Sequence, residues 1–181
     1  MDNFHTSKFL SFVLRHKPQA IGIILDSAGW VNVEELIEKS NKEPGIYLTP
    51  DILAEIVESN NKKRFEFDST QTKIRASQGH SVEVDLGYKE KRPPTLLYHG
   101  TSHKNLPDIL QTGLTKQKRH HVHLTTNLET AMQVGTRYGN PVVLKVDSYS
   151  MFNAGNKFYQ STNGVWLTDF VAPKYLTVSG G

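Results

Sequence analysis

Apolar residues near the start of the chain recur at the three-and-four spacing of a helix face. Phe9, Phe12 and Val13, with Leu10 and Leu14 beside them, predict an apolar-faced helix over about 4–16. Pro18 ends it, because the residue before a proline is pushed out of the α region. Asn32 is placed to cap a short helix carrying Leu36 and Ile37. Thr49-Pro50-Asp51 supplies a capping hydroxyl, a proline at the first helical position and an acid in the first turn. A third helix follows, with Ile52, Leu53, Ile56 and Val57. The period then drops to two. In RFEFD, Phe65 and Phe67 share one face and Arg64 and Glu66 the other. Polar residues 69–72 turn the chain, and KIRAS returns with Ile74 and Ala76 inward. Three short helices closed by a hairpin predict a winged-helix arrangement.

Residues 83–95, EVDLGYKEKRPPT, are charged, and Pro93-Pro94 does not fit a central strand. The expected division is a lobe over 1–90 and a second over 95–181. The second pattern is strand-rich. LLYHG, HVHLTT, PVVLKVDS, KFYQ, GVWLT and YLTV read as strands. SHKNLPDILQTG reads as a short helix with Gly113 in the C-cap position, and NLETAMQVGTRYG as another capped by Asn127. The expected fold class is α+β, with no internal repeat.

Composition narrows the function classes. The 181 residues are 37% hydrophobic and 22% charged, an ordinary globular balance. No apolar run approaches a membrane span, and MDNFHTSKFL lacks the basic n-region of a signal peptide. The chain has no cysteine, which removes disulfides, thiolate catalysis and Cys-ligated metal and fits a reducing compartment. A cytoplasmic, membrane-free protein is therefore expected. Nothing in the pattern requires a second copy, so a monomer is the expectation. The net charge of +3 permits an anionic partner without demanding one.

Several segments carry candidate chemistry. Arg15-His16 lies at a helix C-terminus, where cations complement the dipole or help build an anion site. Arg64 and Arg75 point away from the apolar face of the hairpin, and their planar forks suit a phosphomonoester. RASQGHS, 75–81, is dense in hydrogen-bonding groups but opens no helix, and the chain has neither a Walker A motif nor a GxGxxG fingerprint. In Tyr98-His99-Gly100-Thr101 a strand ends at a histidine placed to donate to a ribose hydroxyl, and Gly100 allows close approach of a ligand. In the segment from Arg119 to Thr125, His121 and His123 share one strand face with Arg119 in phase before them.

Three readings fit that segment: a zinc site without carboxylates, a solvated basic strand, or the wall of a nucleotide pocket with His99 beside it. The units HGT at 99–101 and HLT at 123–125 also match the paired His-x-Thr elements of two-histidine phosphodiesterases. A non-enzymatic winged-helix binder of nucleic acid is the third class of function, and it leaves the second lobe without a role.

Taken in order, LSFVLRHKPQAIGIILDSAGWV (10–31), KRFEF (63–67), IRASQGHS (74–81), LYHGT (97–101), RHHVHLT (119–125), TAMQVGTRYG (130–139) and NGVWLTDFVAPKYL (163–176) resemble the Tpt1/KptA family of NAD-dependent RNA 2′-phosphotransferases. Ser77 stands where asparagine is common and Thr125 where serine is common; both keep a polar group. The resemblance implies a winged-helix lobe followed by an ADP-ribosyltransferase-like lobe that holds NAD as a consumed co-substrate, with no metal. It implies removal of an internal 2′-phosphate from RNA, of the kind left at a tRNA splice junction. In that chemistry the phosphate attacks C1″ of the nicotinamide ribose, nicotinamide leaves, and an RNA-2′-phospho-ADP-ribose intermediate forms. Attack by O2″ then releases 2′-OH RNA and ADP-ribose 1″,2″-cyclic phosphate. The family's Arg-His-Arg-Arg tetrad falls on Arg15, His16, Arg64 and Arg119. Its NAD pocket falls on His99, Gly100, Thr101, Leu124, Thr125, Thr126 and Val134.

Overall fold

The computed structural model describes residues 3–179. The chain forms two compact units that divide between Gly87 and Tyr88.

In the first unit, α1 (Asn3–Arg15) is followed by a 3₁₀ turn over Pro18–Ile21, β1 (Val31–Asn32), α2 (Val33–Ser40), α3 (Pro50–Ser59), β2 (Phe65–Phe67) and β3 (Lys73–Ala76). The helix starts follow the predicted chemistry. The Asn32 carboxamide oxygen accepts from the backbone N–H of Glu34 and Glu35, and Thr49 Oγ1 accepts from that of Ile52. β3 lies between β2 and the short β1, antiparallel to both, so the hairpin gains a third strand that two residues of sequence did not signal.

Leu10, Val13, Leu14, Leu36, Leu53, Ile56, Phe65 and Ile74 fill this unit's core. Phe12, expected on the apolar face of α1, is instead 45% exposed. The buried seam of the helix runs through Thr6, Leu10, Val13 and Leu14. Two residues beyond Leu10 is about 200° around the axis, which turns Phe12 outward.

The second unit contains β4 (Leu97–Ser102), α4 (Leu106–Thr112), β5 (Leu114–Thr115), β6 (Val122–Leu124), α5 (Leu128–Gly135), β7 (Pro141–Val146), α6 (Ser148–Asn153), β8 (Phe158–Gln160), β9 (Trp166–Thr168), β10 (Phe170–Val171) and β11 (Leu176–Val178). β7 runs antiparallel between β4 and β11, and β9 between β6 and β8. The two sheets meet where Tyr98 and Thr125 exchange backbone hydrogen bonds of 2.7 and 3.0 Å. Leu97, Leu124, Leu144, Val146, Met151, Phe158 and Trp166 lie in the core that these sheets enclose. The strand expected over PVVLKVDS stops at Val146, because the Asp147 carboxylate accepts from the Ser150 N–H and caps α6, a helix the alternation did not predict.

Mixed helix and antiparallel strand make the chain α+β, as the hydrophobic pattern predicts.

Candidate active site

Arg15 closes α1, and His16 follows it immediately. The Arg15 carbonyl accepts the Ser81 N–H at 2.9 Å, and His16 Nδ1 shares a 2.9 Å hydrogen bond with Ser81 Oγ. At the other end of the same polar loop, Ser77 donates its N–H to the Arg64 carbonyl and its hydroxyl to the Lys63 carbonyl, both at 2.9 Å. The segment from Ser77 to Ser81 is therefore tied at one end to Arg64 and at the other to Arg15 and His16. Arg15 and Arg64, 49 positions apart in sequence, border one short loop. Ser81 was not singled out by sequence reasoning, although the polar density of RASQGHS marked its segment.

Arg75 takes no part in this arrangement. Its Nε donates to Glu66 at 2.7 Å and its Nη1 to the Ala28 carbonyl at 3.1 Å, and its guanidinium lies 4.4 Å from the Trp30 ring centre. Glu66 faces Arg75 across the hairpin, so charge and forks are consumed within the sheet. Arg75 clamps the β2–β3 hairpin to the Ala28–Trp30 segment.

In the second unit, His99 sits inside β4, which runs on to Ser102; it is not a turn residue after a strand. His99 Nδ1 lies 3.0 Å from the His123 carbonyl oxygen. A carbonyl accepts only, so Nδ1 carries the proton and Nε2 carries the lone pair. Burial pushes the His99 imidazole below its ordinary value; the bond to the carbonyl opposes this, and the Arg119 charge adds to it. His99 is thus a neutral acceptor at Nε2. The expected donation to a ribose hydroxyl is reversed: a hydroxyl there would donate to the ring.

Arg119 follows a tight turn in which its N–H donates to the Lys116 carbonyl at 2.9 Å. Its Nη1 lies 3.1 Å from His123 Nδ1. A guanidinium only donates, so His123 accepts at Nδ1. Arg119, His123 and His99 are in this way linked by consecutive hydrogen bonds. His121, predicted in phase with them, instead packs against Tyr159 and Tyr88 at ring distances of 5.4 and 6.3 Å, with Asp169 3.9 Å from Nε2. Burial lowers its proton affinity, with Asp169 opposing.

The remaining predicted residues occupy varied positions. Leu124 is 2% exposed, its side chain in the core, so it offers a ligand only backbone. Gly100 is explained by a helix: a Cβ there would fall on the Ala131 carbonyl of α5, 2.7 Å from its carbon and 2.9 Å from the Gly135 N. Close approach is required at this position, but the visitor is α5 and not a small molecule. Thr101 is buried and accepts from Asn105 Nδ2 at 3.5 Å. Thr125 Oγ1 accepts the Asn127 N–H at 3.1 Å, next to the cap of α5. Thr126 is exposed, and Val134 is half-buried on α5. The described residues contain no group of three or more His, Cys, Asp or Glu side chains that would hold a metal ion, and no helix among them is long and apolar enough to cross a membrane.

A model of the RNA 2′-phosphotransferase, Tpt1/KptA family matches residues 1–170. The chain belongs to this family. The probable RNA 2′-phosphotransferase of Nostoc punctiforme is 54% identical over 172 residues, covering 94% of this chain and 93% of that protein. The corresponding protein of Trichormus variabilis is 51% identical over 170 residues, covering 94% and 93%. That of Fusobacterium nucleatum is 49% identical over 178 residues, covering 97% and 99%. The Tpt1/KptA match takes in the first compact unit, the second as far as residue 170, and every candidate residue from Arg15 to Val134.

Proposed function

We propose that the chain removes a 2′-phosphate from RNA by transferring it to NAD, giving 2′-OH RNA, ADP-ribose 1″,2″-cyclic phosphate and nicotinamide. The observation that supports this most is the family match over 170 residues, which includes both the Arg15–His16–Arg64 loop and the Arg119–His123–His99 chain of hydrogen bonds. On this reading the first unit is a winged-helix-like lobe for RNA and phosphate, and the second an ADP-ribosyltransferase-like lobe for NAD.

Arg15, Arg64 and Arg119 are the phosphate ligands, each presenting N–H forks to its oxygens. His16, steadied by Ser81, completes the set. The residues present fit NAD as co-substrate, since a neutral His99 keeps a lone pair at Nε2 that would accept a hydrogen bond from a ribose hydroxyl. Thr125, Thr126 and Val134 contribute side chains to that pocket, Thr101 and Leu124 belong to the strands behind it, and Gly100 serves it indirectly by admitting α5 against β4. NAD supplies the electrophilic ribose carbon and a good leaving group. The RNA phosphate is itself the nucleophile, so the protein needs no activated Ser, Cys or Lys. Its task is to fix the oxyanion in line and offset its charge, the two effects that ordinarily dominate such rate enhancement.

Incubation with NAD and an oligoribonucleotide carrying an internal labelled 2′-phosphate tests the reading. The label is expected in an ADP-ribose derivative, with one nicotinamide released per RNA repaired. Label recovered as inorganic phosphate in NAD-free buffer would overturn it.

A further inference from the structure

The polar face of the β2–β3 hairpin carries more than the proposed phosphate ligand. Val31 pairs with Ile74 and Asn32 with Lys73, so one step earlier in that register Trp30 stands opposite Arg75. Arg75 in turn faces Glu66 on β2. Trp30, Arg75 and Glu66 thus form one row across the three-stranded sheet. The next row on the same face holds Arg64, whose carbonyl accepts the Ser77 N–H. The rows lie two residues apart, about 7 Å along the strand, and Trp30 is offset from β2 by two strand spacings, about 10 Å. A nucleotide next to one held at Arg64 can bridge that distance.

This row holds a flat ring still. Asp26 Oδ1 accepts the backbone N–H of Ala28 at 3.0 Å and that of Trp30 at 2.9 Å, and the Asp26 N–H donates to the Trp30 carbonyl at 2.9 Å. The Arg75 guanidinium lies over the indole, 4.4 Å from its centre, and is itself fixed by Glu66 and the Ala28 carbonyl. Trp30 nevertheless belongs to neither hydrophobic core and stays half-buried. Glu66 offsets the charge of Arg75, so the row suits a neutral aromatic ring better than a phosphate.

We propose that Trp30 is a stacking platform for the base of a nucleotide adjacent to the 2′-phosphorylated one. This rests on the assignment of Arg64 to the RNA phosphate made above. Such a platform accepts any base, because every base has a π-face. The stack forms on binding and persists through the reaction, so it lowers KM and leaves the chemical step alone.

Oligoribonucleotides with a central 2′-phosphate and an abasic residue on one or the other side test this on the unmodified full chain. One of the two should raise KM by about five- to 150-fold, the range for loss of one base stacked on an aromatic ring, with kcat within about threefold. Trp30→Leu should raise KM for the intact oligonucleotide to a similar degree and lose the response to the abasic residue, while Trp30→Phe should keep most of both. The Kd for NAD should shift less than about twofold in each variant. Equal KM for intact and abasic substrates on the parent chain, or an equal abasic effect in Trp30→Leu, would overturn the inference. A binding measurement separates it from the reading beneath it. The chain has two tryptophans, and Trp166 is only 6% exposed, so in NAD-free buffer the intact oligonucleotide should quench the fluorescence of Trp30 and one carrying abasic residues on both sides should not. Quenching by the intact oligonucleotide alone, with no transfer of its phosphate to NAD, would retain the platform and sink the proposed reaction; identical quenching by both would sink the platform.

Discussion

His99 shows how one hydrogen bond decides the chemistry of a side chain. The sequence places a histidine beside a glycine; the 3.0 Å contact with the His123 carbonyl makes it an acceptor. Its lowered proton affinity has a consequence for stability. The folded state resists the proton that the unfolded chain takes up near the ordinary value of 6.5. The stabilising contribution is complete above that value and is lost as pH falls through the depressed one. His99→Asn, which keeps a donor to the carbonyl but does not titrate, should flatten the acid side of the unfolding free-energy profile. The change is bounded by about 1.4 kcal/mol per pH unit for one proton. His121 shifts in the same direction, so a residual slope remains. An unchanged slope in urea titrations between about pH 6.5 and 5 would contradict this reading. Arg64→Ala and Arg119→Ala should each slow turnover by about 10²- to 10³-fold if they hold the reacting phosphate. Arg75→Ala should act differently, lowering the melting temperature with kcat nearly intact, since its partners are Glu66, Ala28 and Trp30.

The elements follow local rules until packing intervenes. Asn32, Thr49 and Asn127 cap their helices because a short polar side chain satisfies N–H groups that the helix leaves open. The union of α5 with β4 has a different origin. Gly100 and Gly135 let backbone meet backbone, and a Cβ on Gly135 would stand 3.4 Å from the Thr101 N. Gly100→Ala should therefore displace α5 and cost about 3 kcal/mol or more, at the upper end for overpacking. Gly155→Ala, where a Cβ meets nothing within 4 Å but φ is +92°, should cost only about 1 kcal/mol. Comparable urea midpoints for the two variants would show that the helix yields more readily than its backbone contacts indicate.

For the molecule as a whole, a net charge of +3 permits an anionic partner without demanding one, and salt dependence separates capture of a few phosphates from tracking of a long backbone. The logarithm of KM for a short single-stranded substrate should rise with the logarithm of salt concentration at a slope below about 3, given about 0.7 per phosphate neutralised. A slope above about 5 would favour a nucleic-acid binder over an enzyme of this kind. Helix capping, strand alternation and the absence of cysteine were legible directly, because each depends on residues close together in the chain. So was family membership, which rests on several ordered motifs. The burial of Leu124, the outward turn of Phe12, the clamp formed by Arg75 and the tautomers of His99 and His123 were not. Each depends on a partner distant in sequence, and the choice of partner is made only when sheets and helices pack. Local order is written in neighbouring residues; the protonation and direction of a functional group are settled by whichever carbonyl or carboxylate the tertiary fold sets against it.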